Sequence, residues 1–198
     1  MALSVEEIRA FIAIELEEGI ERELARVQTL LKDKVAAPVR WTDPQGVHLT
    51  LKFLGNIPAE RVEEIGSALR EACQGFAPFT LQFYGLGCFP SLNSPRVIWI
   101  GIGGETETLK RLQERVEERL APLGFPPEKR GFSPHLTLGR VKKYASSGAL
   151  RKIGEAVAAT EVGSLGQMEV REVSLIRSLL LPDGAQYSRL QVVALEGR

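Results

Sequence analysis

The feature of this chain that most constrains its fold is an internal repeat with a period close to 87 residues. The tetrapeptide His-Leu-Thr-Leu occurs at residues 48–51 and again at 135–138, and an apolar run that begins at Ile12 recurs at Ile98. The repeats of solenoid proteins span only about 20–50 residues. The longer period therefore indicates duplication of a small unit that contains both helices and strands.

Hydrophobic periodicity predicts the same kinds of element, in the same order, in both halves. Strands are predicted at residues 10–16, 39–42, 48–54, 79–89, 96–102, 135–141, 168–181 and 187–195. Helices are predicted where apolar residues recur every three to four positions, in stripes that begin at Ile20, Val62, Leu109 and Leu150. The pair Ile65-Gly66 in the second helix recurs as Ile153-Gly154 in the fourth.

Proline and glycine mark two of the boundaries between these elements. Pro58 is expected in the first turn of the second helix, and Pro182-Asp183-Gly184 is expected as the turn between the last two strands. No low-complexity linker separates the halves. We therefore expect residues 1–198 to form one α+β domain of two interlocked lobes with internal duplication, and not two free domains.

Global charge does not mark this chain as a nucleic-acid-binding protein. Its 198 residues contain 25 Lys plus Arg and 25 Asp plus Glu, so any contact with RNA must come from a local basic patch. Such a patch surrounds His135 in the sequence. It consists of Lys129, Arg130, Arg140, Lys142 and Lys143.

Cysteine usage and apolar runs favour a cytoplasmic protein. The chain has two cysteines, Cys73 and Cys88, and one possible disulfide does not indicate a secreted disulfide scaffold. The first residues lack the basic and apolar regions of a signal peptide, and no apolar run is long enough to cross a membrane. We expect a cytoplasmic localisation and no membrane association.

The two histidines of the chain both open the repeated tetrapeptide. Alternate residues of a strand share a face, so His48 and Thr50 point one way while the leucines of the same strand point the other. The same alternation applies to His135 and Thr137. Two such strands, related by duplication, are expected to face each other across a cleft that contains two imidazoles and two hydroxyls.

This set of groups suits the cleavage of a phosphodiester. A neutral imidazole can take a proton from water while a protonated imidazole gives one to the leaving alkoxide, because histidine titrates near neutral pH. Threonine hydroxyls can donate to the non-bridging phosphate oxygens. Two histidines are too few for a zinc site, and no C-x-x-C or H-E-x-x-H motif is present, so we expect neither metal nor cofactor.

The chain resembles the bacterial and archaeal RNA 2′,3′-cyclic phosphodiesterases, also called 2′-5′ RNA ligases, a family of the 2H phosphoesterase superfamily. The resemblance covers nearly the whole chain and depends on paired H-x-T-x motifs and their flanking residues. These segments are residues 9–14, 39–41, 48–55, 132–140, 174–178 and 184–187.

The resemblance implies a fold, a reaction and residue roles. The fold would have two lobes, each an antiparallel sheet with helices outside, around a central cleft. The reaction would open an RNA-terminal 2′,3′-cyclic phosphate to a 2′-phosphate, with His48 as proton donor and His135 as proton acceptor. Thr50 and Thr137 would bind the phosphate. Run backwards, the same site could form a 2′-5′ linkage.

Three residues near the second motif are candidates for binding RNA: Arg130 and Arg140 for phosphates, and Phe132 for stacking on a base. Phe11 and Trp41 could also stack, although we expect them in the core. The expected partners are RNA ends carrying a 2′,3′-cyclic phosphate, with tRNA fragments as candidates, and the expected state is a monomer. Two alternatives remain: a 2H enzyme acting on a small cyclic nucleotide or cyclic sugar phosphate, and a non-catalytic RNA-binding module.

Overall fold

The computed structural model describes residues 6–35, 38–181 and 184–197. The strands are β1 (Glu7–Glu15), β2 (Val39–Trp41), β3 (His48–Pro58), β4 (Phe79–Phe89), β5 (Val97–Gly104), β6 (His135–Val141), β7 (Ser164–Val170), β8 (Glu172–Leu181) and β9 (Gly184–Ala194). The helices are α1 (Glu18–Lys34), α2 (Val62–Cys73), α3 (Thr106–Leu120) and α4 (Ser147–Ala158). Short 3-10 turns occupy Pro44–Gly46, Ala59–Arg61 and Ala121–Leu123.

The strands form two antiparallel sheets, as predicted. The first sheet has the order β3-β1-β8-β9 and the second the order β2-β6-β5-β4-β7. Strands β6 and β5 of the second sheet occupy the places that β3 and β1 occupy in the first, so the duplication is visible in the topology. The short β2 is the additional edge strand of the second sheet.

The first helix of each half packs against the sheet of the other half, whereas the second helix packs against the sheet that holds its own motif strand. Helix α1 follows β1 in sequence but contacts β7 of the second sheet, and α3 follows β5 but contacts β3 of the first. Helix α2 contacts β9 and α4 contacts β4. A single continuous cluster of buried apolar side chains joins the helices to both sheets.

The predicted helical stripes form the buried faces of these helices. Leu24, Val27 and Leu31 of α1 have no exposed surface, and the same is true of the stripe from Leu109 to Leu120 in α3. An apolar stripe one helix face wide is sufficient to attach a helix to a sheet. The apolar stripe does not determine which of the two sheets the helix packs against; the course of the chain does.

Two predicted boundaries were wrong. Residues 168–181 do not form one strand, because the chain leaves the second sheet after β7, passes Arg171 and enters the first sheet as β8. The apolar alternation shifts by one position here, because Arg171 and Glu172 are two consecutive exposed residues between the buried Val170 and Val173; the predicted single strand overlooked this shift. Pro58 ends β3, and α2 begins only at Val62, after a 3-10 turn. Of the predicted turn, Pro182 and Asp183 lie outside the described residues, and Gly184 begins β9.

Candidate active site

The two histidine motifs lie on strands that contact each other between the sheets. Strand β3 is an edge strand of the first sheet, and it contacts β6, the second strand of the other sheet. The leucines of both motifs are buried, whereas the histidines and threonines are half-buried. The predicted alternation is thus present, with leucines in the core and the polar pair on the opposite face of each strand.

The imidazole of His48 lies between two aromatic rings. Its centroid is 5.4 Å from that of Phe11 and 4.7 Å from that of Tyr187, both in edge-to-face geometry. Burial lowers the pKa of His48, and this effect is opposed by the negative charge of Glu15 and by a hydrogen bond to the backbone of Gly46. Glu15 is the residue directly opposite His48 on β1.

The Glu15 carboxylate is fixed in place by two donors from the first sheet. Ser174 Oγ donates to Glu15 Oε2 over 2.7 Å, and Arg189 Nε approaches the same oxygen to 2.7 Å. Arg189 also lies 3.8 Å from Glu172. A positioned carboxylate beside an imidazole favours the protonated form of the ring, so Glu15 opposes, without reversing, the lowering of the His48 pKa by burial.

The imidazole of His135 is oriented by a backbone carbonyl. Its Nδ1 lies 2.8 Å from Ser133 O, and a carbonyl only accepts, so Nδ1 carries a hydrogen and the neutral ring has its lone pair on Nε2. The ring packs edge-to-face on Phe89 with centroids 5.0 Å apart. Burial lowers the pKa of His135; the Ser133 hydrogen bond opposes this, and the positive charge of Arg140 adds to it.

A β-bulge lies at the last residue of each motif. Leu51 has no opposite residue on β1, because Lys52 pairs with Ile12 and Thr50 with Ala13. Leu138 is likewise unpaired on β5, because Gly139 pairs with Ile98 and Thr137 with Trp99. One extra residue reverses the alternation of side chains.

The reversal returns the fifth residue after each histidine to the face of that histidine. In the first motif this residue is Phe53, which is exposed and packs on Phe11, with ring centroids 6.3 Å apart. In the second it is Arg140, which is exposed and close enough to His135 to affect its pKa. Regular alternation would place Arg140 on the opposite face.

The other predicted residues differ in how close they come to this arrangement. Arg130 is exposed in the loop before β6. Phe132 and Trp41 are partly buried and pack against the main core, and Phe11 is only 6% exposed. Phe132 and Trp41 therefore each leave only part of the ring available to a base. Phe11 is buried as expected, but in a small cluster with Ala13 and Ile176 that is separate from the main core.

Several residues of the site were not identified from the sequence. Glu15, Tyr187 and Phe89 contact or oppose the histidines only through strand pairing and packing. Arg40 is the residue opposite Arg140 on β2, and both side chains are exposed. Two like charges directly opposite each other are unfavourable without a counter-charge, and neither arginine has an acidic partner within the described residues.

The described residues contain neither a metal-binding cluster nor a membrane-spanning helix. Between residues 6 and 197, apart from the undescribed pairs 36–37 and 182–183, no three His, Cys, Asp or Glu side chains are grouped so as to hold a metal ion. In the described part of the chain, no helix is both long and apolar enough to span a bilayer.

Comparison with known proteins places this arrangement in a family. The model of the family "LigT like Phosphoesterase" matches the chain twice, over residues 14–99 and 100–187. The RNA 2′,3′-cyclic phosphodiesterase of Methanothermobacter thermautotrophicus is 37% identical over 95% of this chain and 99% of its own length. That of Aquifex aeolicus is 30% identical over 96% and 98%.

Solved structures show the same relationship. TT0787 of Thermus thermophilus superposes with a TM-score of 0.76 at 28% identity, covering 96% of this chain and 99% of its own. E. coli LigT complexed with 3′-AMP superposes with a TM-score of 0.74 at 26% identity, with the same coverage. The two consecutive family matches coincide with the internal duplication. The chain therefore belongs to the LigT-like phosphoesterases of the 2H superfamily and, among them, to the RNA 2′,3′-cyclic phosphodiesterase family.

Proposed function

We propose that this protein hydrolyses the 2′,3′-cyclic phosphate at an RNA end to a 2′-phosphate, with His48 as general acid and His135 as general base. The observation that carries the proposal is the unequal charge beside two otherwise identical motifs. His48 lies opposite the carboxylate of Glu15, and His135 lies near the guanidinium of Arg140. Surroundings that favour protonation of one group and oppose it in the other suit an acid–base pair.

In the proposed reaction, His135 Nε2 removes a proton from a water molecule as the water oxygen attacks phosphorus. The Ser133 hydrogen bond to Nδ1 leaves Nε2 with the free lone pair that this step requires. The bond between phosphorus and O3′ breaks, and His48 gives its proton to O3′. The products are a 2′-phosphomonoester and a free 3′-hydroxyl, and proton exchange with solvent restores both imidazoles.

Thr50, Thr137 and Arg140 would bind the non-bridging phosphate oxygens during this reaction. Both hydroxyls lie on the face of the histidine two residues earlier, and the bulge brings Arg140 to that face. Negative charge grows on these oxygens in the transition state, where positioned donors contribute most to the rate.

RNA is the proposed substrate class because positive charge continues beyond the reacting groups. Arg40, Arg130, Lys142 and Lys143 are exposed on or near β2 and β6, and a cyclic mononucleotide has no further phosphate for them to bind. The relatives named above are RNA 2′,3′-cyclic phosphodiesterases. E. coli LigT has been crystallised with 3′-AMP, a nucleotide with one phosphate on its ribose.

We also propose a monomeric cytoplasmic enzyme, with tRNA fragments among its candidate RNAs. A monomer fits because both motifs come from one chain. A reducing compartment fits because Cys73 and Cys88 are buried thiols that form no disulfide, and burial raises their pKa to about 12 and about 11.

The experiment is product analysis on a short RNA that ends in a 2′,3′-cyclic phosphate, with EDTA present and with the matching cyclic mononucleotide as a second substrate. We expect a 2′-phosphate product, full activity in EDTA and a higher kcat/KM on the RNA. A 3′-phosphate product would refute the assigned leaving group. Equal kcat/KM on both substrates would favour a small-molecule enzyme, and RNA binding without turnover would favour a binding module.

A second arm of the experiment tests the reverse reaction. An RNA ending in 2′,3′-cyclic phosphate is incubated with an RNA that has a 5′-hydroxyl. Because the acid–base roles reverse with the reaction, the same two histidines should form a 2′-5′ linkage. Ligation that survives loss of either histidine would exclude this shared mechanism.

A further inference from the structure

Two buried glutamines occupy equivalent places in the two halves of the molecule. Gln28 of α1 is 1% exposed and Gln113 of α3 is 6% exposed. Each follows an inward-facing apolar residue of its helical stripe, Val27 and Leu112 respectively. A glutamine amide has two donor hydrogens and an acceptor oxygen, so its burial requires specific partners.

Those partners include the bulge residue at the end of each histidine motif. Gln28 Nε2 donates to Leu138 O over 2.9 Å and to Thr42 O over 2.6 Å. Gln113 Nε2 donates to Leu51 O over 3.4 Å. Leu51 and Leu138 are the extra residues of the two bulges. The same contact between amide and carbonyl therefore occurs at the same position of both motifs.

Each glutamine reaches the motif of the opposite half. Gln28 comes from the helix after β1 and contacts β6, while Gln113 comes from the helix after β5 and contacts β3. Gln113 also donates to Glu117 over 3.0 Å, and Glu117 forms a buried ion pair with Lys52, the residue that the first bulge directs into the core. These contacts link each bulge to the helix layer beneath it.

The second bulge determines where Arg140 lies. Without the extra residue Leu138, alternation would turn Arg140 toward the helices and away from His135. The space next to the bulge is also restricted, since a Cβ on Gly139 would lie 2.9 Å from Val39 Cγ1 and 3.0 Å from Trp41 Cε3. Arg140 therefore stays on the face of His135 and Thr137 only while the bulge keeps its geometry.

We propose that Gln28 and Gln113 are positioning residues of the phosphodiesterase, acting through the bulges and not through the substrate; this rests on the proposed function of the same site. Gln28 maintains the bulge at Leu138 and thereby keeps Thr137 and Arg140 aligned with His135. Gln113 maintains the bulge at Leu51 and thereby keeps Phe53 on the face of His48.

The test is a double-mutant cycle between Gln28 and Arg140, using Gln28→Met, Arg140→Met and the double variant. Methionine matches the length of glutamine but donates no hydrogen bond. We expect Gln28→Met to lower kcat by about 10- to 100-fold, the scale of a misplacement near 1 Å, and to change KM less. In the Arg140→Met background the same substitution should cost at least about threefold less than in the wild-type protein, because groups that act as a unit are not additive; the loss that remains is the part that acts through Thr137.

Affinity for inorganic phosphate, measured by calorimetry on the same four proteins, provides a readout that needs no turnover. It should show the same coupling between Gln28 and Arg140. If the wild-type protein fails to hydrolyse cyclic RNA ends, the proposed function fails, but the phosphate cycle still decides whether Gln28 acts through Arg140.

Gln113→Met is the matched control. It also removes a buried amide beneath a bulge, but it should reduce kcat by the same factor with and without Arg140, because it acts on the other motif. Multiplicative effects of Gln28→Met and Arg140→Met would overturn the proposal, and so would a folded Gln28→Met with wild-type kcat and phosphate affinity. If Gln28→Met does not fold, Gln28→Asn replaces it in the same double-mutant cycle. The shorter asparagine side chain weakens the same contacts.

Discussion

Replacing Glu15 by glutamine tests the assignment of His48 as the acid. Glutamine keeps the shape of the side chain and still accepts hydrogen bonds from Ser174 and Arg189, so the substitution removes mainly the charge. That charge raises the pKa of His48 against the lowering effect of burial. Without it, His48 should lose its proton at lower pH, and the alkaline limb of the rate profile should move down.

The strand geometry sets the size of the attraction between the Glu15 carboxylate and a protonated His48. Opposed residues of an antiparallel pair have Cβ atoms about 5 Å apart, which places the two charged groups roughly 6 Å apart. At an effective dielectric constant of ~20 the attraction is about 3 kcal/mol. The Glu15 side chain is 26% exposed, and halving the figure for solvent screening leaves about 1.4 kcal/mol of attraction that Glu15→Gln removes.

The assay is kcat/KM from acid to alkaline pH on a cyclic-phosphate RNA. Wild type should give a bell whose limbs belong to the coupled pair of histidines. Glu15→Gln should move the alkaline limb to lower pH, because the charge that opposes the lowering of the His48 pKa is gone, and leave the acidic limb in place. Glu172→Gln is the matched control, because Glu172 also approaches Arg189 but lies opposite Ala194 and not opposite His48. An unmoved alkaline limb, or a shift of the acidic limb instead, would refute the acid role of His48.

Three further predictions follow from the same structure. His48→Ala and His135→Ala should each lower kcat by at least about 100-fold, and the double variant should lose far less than the product of the two; a folded single variant near wild-type kcat would contradict the pair. RNA affinity should fall with salt, with a log–log slope near −0.7 per phosphate contact on single strands, and Arg40→Ala should reduce that slope by about one contact in a binding titration at several salt concentrations. Lys52→Met should lower the free energy of unfolding by about 3–5 kcal/mol in urea denaturation, because it leaves the Glu117 carboxylate buried without its partner. Adding Glu117→Leu should restore much of that loss. If it restores none, the ion pair is not the cause.

The molecule exchanges helices between its two sheets, and this exchange has a consequence for the site. Each motif strand has at its back a helix from the other half, with Gln28 beneath β6 and Gln113 beneath β3. A shift of one lobe relative to the other would therefore disturb the contacts of both bulges. The two histidines are thus held by a shared core and not by two independent frames.

The sequence by itself determined those parts of the protein that depend on local periodicity and repetition. The paired tetrapeptides, the alternation that separates His48 and Thr50 from Leu49, and the helical stripes are properties of short segments, and each is present in the structure. The family was also identifiable, because the residues around both motifs are contiguous in the chain.

Only the tertiary structure decided which segments lie against each other. Glu15 is beside His48 because β1 pairs with β3, and Tyr187 reaches the same imidazole from β9, the last strand of the chain. The face on which Arg140 lies depends on one extra residue in β6, and the strand predicted over residues 168–181 divides between two sheets at Arg171. Strand register and sheet membership are set by the backbone partners and packing that a segment meets after folding. A pattern of side chains within one segment carries no record of those partners.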